Sequence, residues 1–392
     1  MFFSFEDDSN YSPTMQTKSF PADSVAALET QLNTLINDNF KPSLAMVFAS
    51  IDHDLTSIAK IFDDKNIDLF GLSSAGEIID KEVVESGIVG LLFDVNPDFY
   101  QIKIVENNFD NLFETGKESG IFSKKAFQNP ALMIGSGGLT VDVEQIVYGF
   151  KSVLGENVPM FGGLAGDDWK LENTYAFSRN QMTNNGIMTL TFDNDKIEMQ
   201  GLAICGWEAI GKTNIVTKAK GNVVYTINDE PALDVFLRYF EYLENSDVDA
   251  EKLDNASAQY PLQVMRKDGT SVLRSPMKSN LEDRSIMLAG NITQGDEFRF
   301  SIAPGFQVID QTVAEFGSLK KDFPEADALI LFSCKGRHAA LGPLIEDEVE
   351  GIYDYWSKPM IGFFCYGEIG NVKGGTCDFH NETCSLVLLK EK

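Results

Sequence analysis

Apolar positions along the chain follow two patterns. From residue 23 to 37, Val25, Leu28, Leu32, Leu35 and Ile36 recur at three- and four-residue steps. One apolar stripe at that spacing predicts a helix, with Asp23 or Ser24 capping it after Pro21. Elsewhere apolar residues run together without alternation, as in strands covered on both faces. Three such runs end in serine: Leu44-Ala45-Met46-Val47-Phe48-Ala49-Ser50, Ala131-Leu132-Met133-Ile134-Gly135-Ser136 and Ala328-Leu329-Ile330-Leu331-Phe332-Ser333.

These runs belong to an internal repeat. Each is followed by a helix-like stretch and then by a glycine-rich strand ending in an acid. The latter are Phe70-Gly71-Leu72-Ser73-Ser74-Ala75-Gly76-Glu77, Phe161-Gly162-Gly163-Leu164-Ala165-Gly166-Asp167 and Ile361-Gly362-Phe363-Phe364-Cys365-Tyr366-Gly367-Glu368, the second being one residue shorter. A further strand follows each acid, at 87–94, 186–193 and 385–389. Strand, crossover and strand make a βαβ unit with parallel strands, and the third strand can return antiparallel. The expected fold class is mixed α/β, with partly parallel sheets built from one strand-helix-strand-strand module used three times.

Residues 1–22 are polar and aperiodic and read as a tail. Between the second and third copies the pattern changes. Residues 202–218 read as strands around Gly206-Trp207, and 231–244 reads as a helix with Pro231 in its first turn and Leu233, Phe236, Leu237 and Phe240 on one face. An acidic, polar run at 241–258 reads as a solvated face. The expected division is a tail, a first domain at 23–228 holding two copies, and a second at 229–392 holding one.

Charge narrows the function. The 392 residues carry 59 Asp+Glu against 32 Lys+Arg, a formal net charge of −27. That balance argues against binding a nucleic-acid backbone or docking on anionic lipid. No apolar run approaches the roughly 20 residues of a membrane helix, and residues 1–8 lack the positive flank and apolar core of a signal peptide. The five cysteines, Cys205, Cys334, Cys365, Cys377 and Cys384, are odd in number and contain no C-x-x-C, which points to free thiols in a cytoplasmic protein.

Ligands of open α/β sheets sit beyond the carboxyl ends of parallel strands. The repeat puts three corners there: Ser50-Ile51-Asp52-His53, Ser136-Gly137-Gly138 and Ser333-Cys334-Lys335-Gly336-Arg337. The second leads into a helix through about Leu154, with Thr140 as N-cap. Small residues before a helix can cradle an anion, or simply allow a tight turn. No dinucleotide or P-loop fingerprint is present. Arg337 can hold a carboxylate through two parallel bonds, or pair with an acid such as Glu346 or Glu368. Glu77, Asp167 and Glu368 share one repeat position. They can bind an ammonium group, do acid–base work, or accept N–H bonds from their own turns. Cys377, His380 and Cys384 with Cys365 are a weak zinc pattern, and nothing resembles a nucleophile elbow.

Other residues now carry a resemblance. Residues 71–78 and 161–167, Gly206-Trp207-Glu208-Ala209-Ile210-Gly211, 216–219 and 223–235 resemble the FIST N-terminal module (F-box and intracellular signal transduction). Gly295-Asp296, Phe332-Ser333-Cys334-Lys335-Gly336-Arg337, Gly362 through Gly367-Glu368-Ile369, and His380-Asn381-x-Thr383 resemble the FIST C-terminal module. The resemblance implies a cytoplasmic sensory protein binding a small ligand, an amino acid or related metabolite. Relatives are fused to histidine kinases, diguanylate cyclases or chemotaxis transducers. No kinase or cyclase motif is left in this chain, which implies a separate partner. Some relatives are described as haem-binding nitric-oxide sensors, for which His53, His338, His380 or a Cys, Met or Tyr would supply the axial ligand. A third reading is an enzyme using Glu77 or Glu368 with Cys365 or Cys334. The expected ligand contacts are Ser73, Ser74, Glu77, Ser136, Gly137, Gly163, Arg337 and Glu368, with backbone N–H groups and Arg337 holding an anion and the acids a cation.

Overall fold

The structure, a computed structural model, describes residues 15–107, 111–139, 142–239, 260–266, 269–303, 305 and 307–392. The expected α/β architecture is present, with a longer repeating unit than the sequence shows. The first copy runs strand Gln16–Ala22, helix Val25–Leu35, strand Leu44–Ala49, helix Leu55–Asp64, strand Asp68–Ser73, hairpin Glu77–Ile79/Glu82–Val84 and strand Ile88–Asp94. The second repeats this order from Tyr100–Glu106 to Gly186–Asp193. The third starts with Ile197–Ile204 and resumes, after an insertion, at helix Gln307–Asp322.

Each copy has one parallel pair: Leu44–Ala49 with Asp68–Ser73, Pro130–Ser136 with Met160–Leu164, and Ala328–Cys334 with Met360–Cys365. The last strand of each copy returns antiparallel against the serine-bearing strand. The tail expectation is corrected over Gln16–Ala22, which pairs antiparallel with Ile88–Asp94. Its residues are mostly half exposed on a sheet edge, so the polar pattern hides a strand. Capping follows local chemistry. Ser24 accepts the N–H of Ala27 at 3.2 Å. Asp142 caps helix Val143–Leu154 through Gln145 at 3.3 Å, in place of the expected Thr140, which lies outside the described residues.

The copies exchange hairpins around a ring. The hairpin after Glu77 adds to the third copy's Met360–Cys365 strand. The one after Glu368 adds to Met160–Leu164 of the second, and Ala176–Phe177 of the second adds to Asp68–Ser73 of the first. One face of each sheet turns into a shared core, where the Phe48 ring lies 4.5 Å from that of Phe363 and Phe332 lies 5.7 Å from Phe363. The other face lies under the copy's own helices. Burial on both faces is why these strands lack alternation. The repeat's glycines serve close approach of neighbouring chain: a Cβ at Gly162 would strike the Ile134 carbonyl, and one at Gly362 that of Leu331.

The insertion forms a sheet of its own, beside the three six-stranded sheets of the copies. Its strands include Glu208–Lys220, Val223–Ile227, Leu262–Met265, Ser271–Arg274, Pro276–Ser279, Ile286–Leu288 and Glu297–Ile302, around a core with Phe236, Phe298 and Phe300. Its two outermost strands, Ser271–Arg274 and Pro276–Ser279, are joined through Ser275, so the chain itself bridges the sheet's edges. The position 228/229 falls inside this sheet, between paired strands Val223–Ile227 and Glu230–Pro231. The helix expected at 231–244 is described over Ala232–Tyr239, and the acidic run lies outside the described residues. Buried Arg274 ties the insertion down, bonding Asn291 O at 2.8 Å, Phe379 O at 3.1 Å and Glu144 of the second copy at 3.1 Å.

Candidate functional site

A pocket opens where the third copy's parallel strands end beneath the insertion. It holds about 570 Å³ not filled by atoms, open solvent at its mouth included. Cys334, Cys365, Asn381 and Glu382 line its inner part, with Lys335 and Gly336 on one side. Ser275, Pro276, Met277 and Ala289 come from the insertion, and Trp169 and Leu171 from the second copy. This is the strand-end location expected for an α/β ligand.

Glu382 is the ionisable carboxyl of the inner pocket. Its Oε1 accepts from Ser275 at 2.7 Å, while Oε2 is buried and without a protein partner. Its backbone is left-handed, φ 57°, which costs a non-glycine residue on the order of 1 kcal/mol or more. Burial pushes its carboxyl up to about 7, against the lowering effects of Ser275 and Arg337. Gly336 permits this placement, because a Cβ there would collide with the Glu382 carboxylate. Beside it, both polar atoms of the Asn381 carboxamide are buried and unpaired, although the residue is only 1% exposed. Buried polar atoms normally have partners, so two adjacent exceptions facing one pocket mark a binding surface.

Lys335 donates to or shares a proton with His338 Nδ1 at 3.1 Å, and burial lowers its ammonium below the usual range. Burial and Lys335 push His338 down to about 4, so its imidazole is neutral and accepts. On the opposite lip, Asp168, Trp169 and Leu171 all have positive φ, at 53°, 67° and 54°. Asp167 holds that loop by accepting the N–H groups of Leu171 at 2.9 Å, Glu172 at 2.6 Å and Asn173 at 2.9 Å.

The eight residues expected from the sequence as ligand contacts lie elsewhere. Ser73 donates to Gly166 O at 2.7 Å and accepts from Tyr175 at 2.8 Å. Ser74 bonds Glu77, whose other oxygen accepts from Gly87 at 2.7 Å. Ser136 bonds the Gly137 carbonyl at 3.4 Å, Gly137 itself bonds Gly186 at 3.0 Å, and Gly163 pairs with Glu368 between strands. Glu368 accepts from Thr383 Oγ1 at 2.7 Å and from Cys365 Sγ at 3.0 Å, just beneath the pocket. Burial pushes both Glu77 and Glu368 up to about 8. The recurring acid thus clamps the turn before the last strand of its own copy, or in Asp167 its own loop.

Arg337 is a correction of a different kind. It is fully buried and pairs with Glu348, not Glu346 or Glu368. Nε bonds Glu348 at 2.9 Å; Nη1 bonds Cys205 O at 2.6 Å and Glu382 O at 3.3 Å; Nη2 bonds Thr312 at 2.9 Å and Glu348 at 2.5 Å. A guanidinium has five N–H groups, and all are committed. Burial opposes its charge, but Glu348 holds it above its ordinary value. The anion cradle expected at Arg337 is therefore absent.

Asn381 and Glu382 lay inside a segment singled out by its cysteines and histidine. The missed signal is a carboxamide and a carboxylate side by side just before an apolar last strand. For zinc, Cys377 bonds Met160 O at 3.4 Å and His380 bonds Gly370 O at 3.1 Å, and no metal-holding cluster occurs among the described residues. Haem does not fit the pocket's donor set. No histidine lines it, burial pushes the Cys334 and Cys365 thiols well above their usual range, away from the thiolate that ligates iron, and the Tyr366 hydroxyl donates to Asp167 at 2.5 Å, which leaves the Met277 thioether as the one other candidate in the lining. The same shift disfavours a cysteine nucleophile, although Cys365 and Glu368 are in hydrogen-bond reach. The arrangement is suited to binding.

Comparison with known families agrees with the internal repeat. The FIST N domain matches residues 43–230 and the FIST C domain matches residues 232–371. No curated protein matches the chain. FIST domains are sensory domains of signal transduction. With most of its length matched by these two domains in order, the chain belongs to the FIST family.

Proposed function

We propose that this protein is a cytoplasmic sensor that binds an amino acid or related small metabolite in the pocket beneath the insertion. The observation that carries the reading is a set of buried polar atoms without a protein partner on two adjacent lining residues, Glu382 Oε2 and both polar atoms of the Asn381 carboxamide. Apolar walls from Trp169, Leu171, Pro276 and Met277 supply contact for a side chain. The pocket joins three parts of the chain, so a bound ligand bears on how the insertion sits against the ring. That is the kind of change a separate partner, a histidine kinase or cyclic-dinucleotide enzyme, can read. Five thiols without disulfides support the cytoplasmic location.

The test is calorimetry of the full chain against a panel of L-amino acids. A saturable heat is expected for at least one with an apolar side chain. A folded protein giving no saturable heat at millimolar ligand would sink the reading.

A further inference from the structure

We propose that the pocket recognises a cationic nitrogen, an ammonium or amidinium head, and does not require a carboxylate on its ligand. This rests on the sensor reading above and names what the site selects. The inner pocket is short of donors. Glu382 Oε2 and Asn381 Oδ1 are buried acceptors with no protein partner, set on adjacent residues. Against them stand the Asn381 amide nitrogen and, on one side of the pocket, the Lys335 ammonium, which meets His338. An N–H-rich cation satisfies both acceptors through charge-assisted bonds.

The cations nearby do not favour an anion. Arg337 has every N–H bonded within the protein. The Lys335 ammonium already meets His338 and lies in the field of Glu77, Glu85 and Asp168. A ligand carboxylate placed there would face these carboxylates as well as Glu382, against an overall charge of −27. The left-handed backbone at Glu382 and the bare Cα of Gly336 beside it hold the carboxylate toward the pocket. The walls of Trp169, Leu171, Pro276 and Met277 select an apolar body behind the cationic head.

Three probes of one shape separate the charges: leucine, 3-methylbutylamine and 4-methylpentanoate, titrated calorimetrically into the full chain. The amine is expected to bind at least tenfold more tightly than the carboxylate. Glu382→Gln, which keeps the shape and the Ser275 bond, is expected to weaken the amine about tenfold or more, the scale of one hydrogen bond to a charged group. Ala289→Phe, filling the pocket from the insertion side, is expected to abolish amine binding. The proposal is overturned if 4-methylpentanoate binds as tightly as the amine, or if the amine's affinity is unchanged by either variant. Binding of the carboxylate alone overturns this inference and leaves the sensor reading standing. No binding of any probe overturns this inference, and the sensor reading falls with it when the panel of L-amino acids also gives no saturable heat.

Discussion

The same corner of the repeat is closed in the first copy and open in the third. In the first copy, Ser50 ends the serine-bearing strand and donates to Asp168 at 2.6 Å, while Asp52 meets Lys170 at 2.6 Å. These two bonds cross the junction with the second copy, while His53 meets the Ser86 carbonyl of its own copy at 3.0 Å. In the third copy, Cys334, Lys335 and Gly336 occupy the corner and the insertion roofs it without filling it. Asn381 and Glu382 are left facing the space. One backbone module thus forms a closed joint in the first copy and the lining of an open pocket, the proposed binding site, in the third. Fold alone does not assign function; the site does.

This comparison can be broken in graded ways. The largest effect is expected from Arg337→Met, which strands the buried Glu348 carboxylate. Denaturant unfolding should show a loss of about 3–5 kcal/mol, the scale of breaking a buried ion pair. An unchanged midpoint would show the pair to be dispensable. Asp167→Ala removes the acceptor of three loop N–H groups and should cost about 1–3 kcal/mol. It should also shift the Trp169 fluorescence, since that ring sits on the released loop. Gly336→Ala should cost about 1–3 kcal/mol through the Glu382 contact and weaken ligand binding, whereas a change confined to stability would separate this corner from the site.

pH offers a further lever. Glu77 and Glu368 are raised in the folded state to about 8, and Glu382 to about 7, from an ordinary 4.5. The folded chain therefore holds more protons than the unfolded one across the window between these values. The neutral acids' stability is fully present below about 4.5 and lost as pH rises through the folded values, so these three groups make stability fall over that window. Glu144, lowered by Arg274 and Arg266 against its burial, acts below the window and in the opposite sense. The lowered His338 and His380 act in the opposite sense below about 6.5, so melting temperature followed from pH 6.5 to pH 8 should decline, and Glu77→Gln should flatten the decline; an unaltered slope would contradict the assignment for Glu77. The smallest effect is expected from Ser50→Ala, about 1 kcal/mol for one hydrogen bond, with ligand affinity unchanged because Ser50 does not line the proposed pocket.

Local chemistry was legible where it is local. The three apolar runs announce strands because each is covered on both faces, and their parallel pairing follows from crossover length. The recurring acids could be read as turn clamps, since a carboxylate reaches N–H groups a few residues along its own chain. Strand Gln16–Ala22 escaped detection because a half-exposed edge strand carries no apolar pattern. Arg337 misled because its partner, Glu348, lies on the next helix, Ile345–Trp356, where packing and not spacing brings them together. Asn381 and Glu382 were visible as residues but not as a site: being unpaired is a property of the surroundings.

By itself, then, the amino-acid sequence determined the repeated α/β module, the cap of the first helix, the free thiols and the family. These depend on residues close together in the chain. Tertiary structure alone decided that each hairpin completes a neighbouring copy's sheet, that the insertion roofs the third corner, and that one carboxylate and one carboxamide remain unsatisfied there. The physical reason is that hydrogen-bond satisfaction is settled only when distant segments meet.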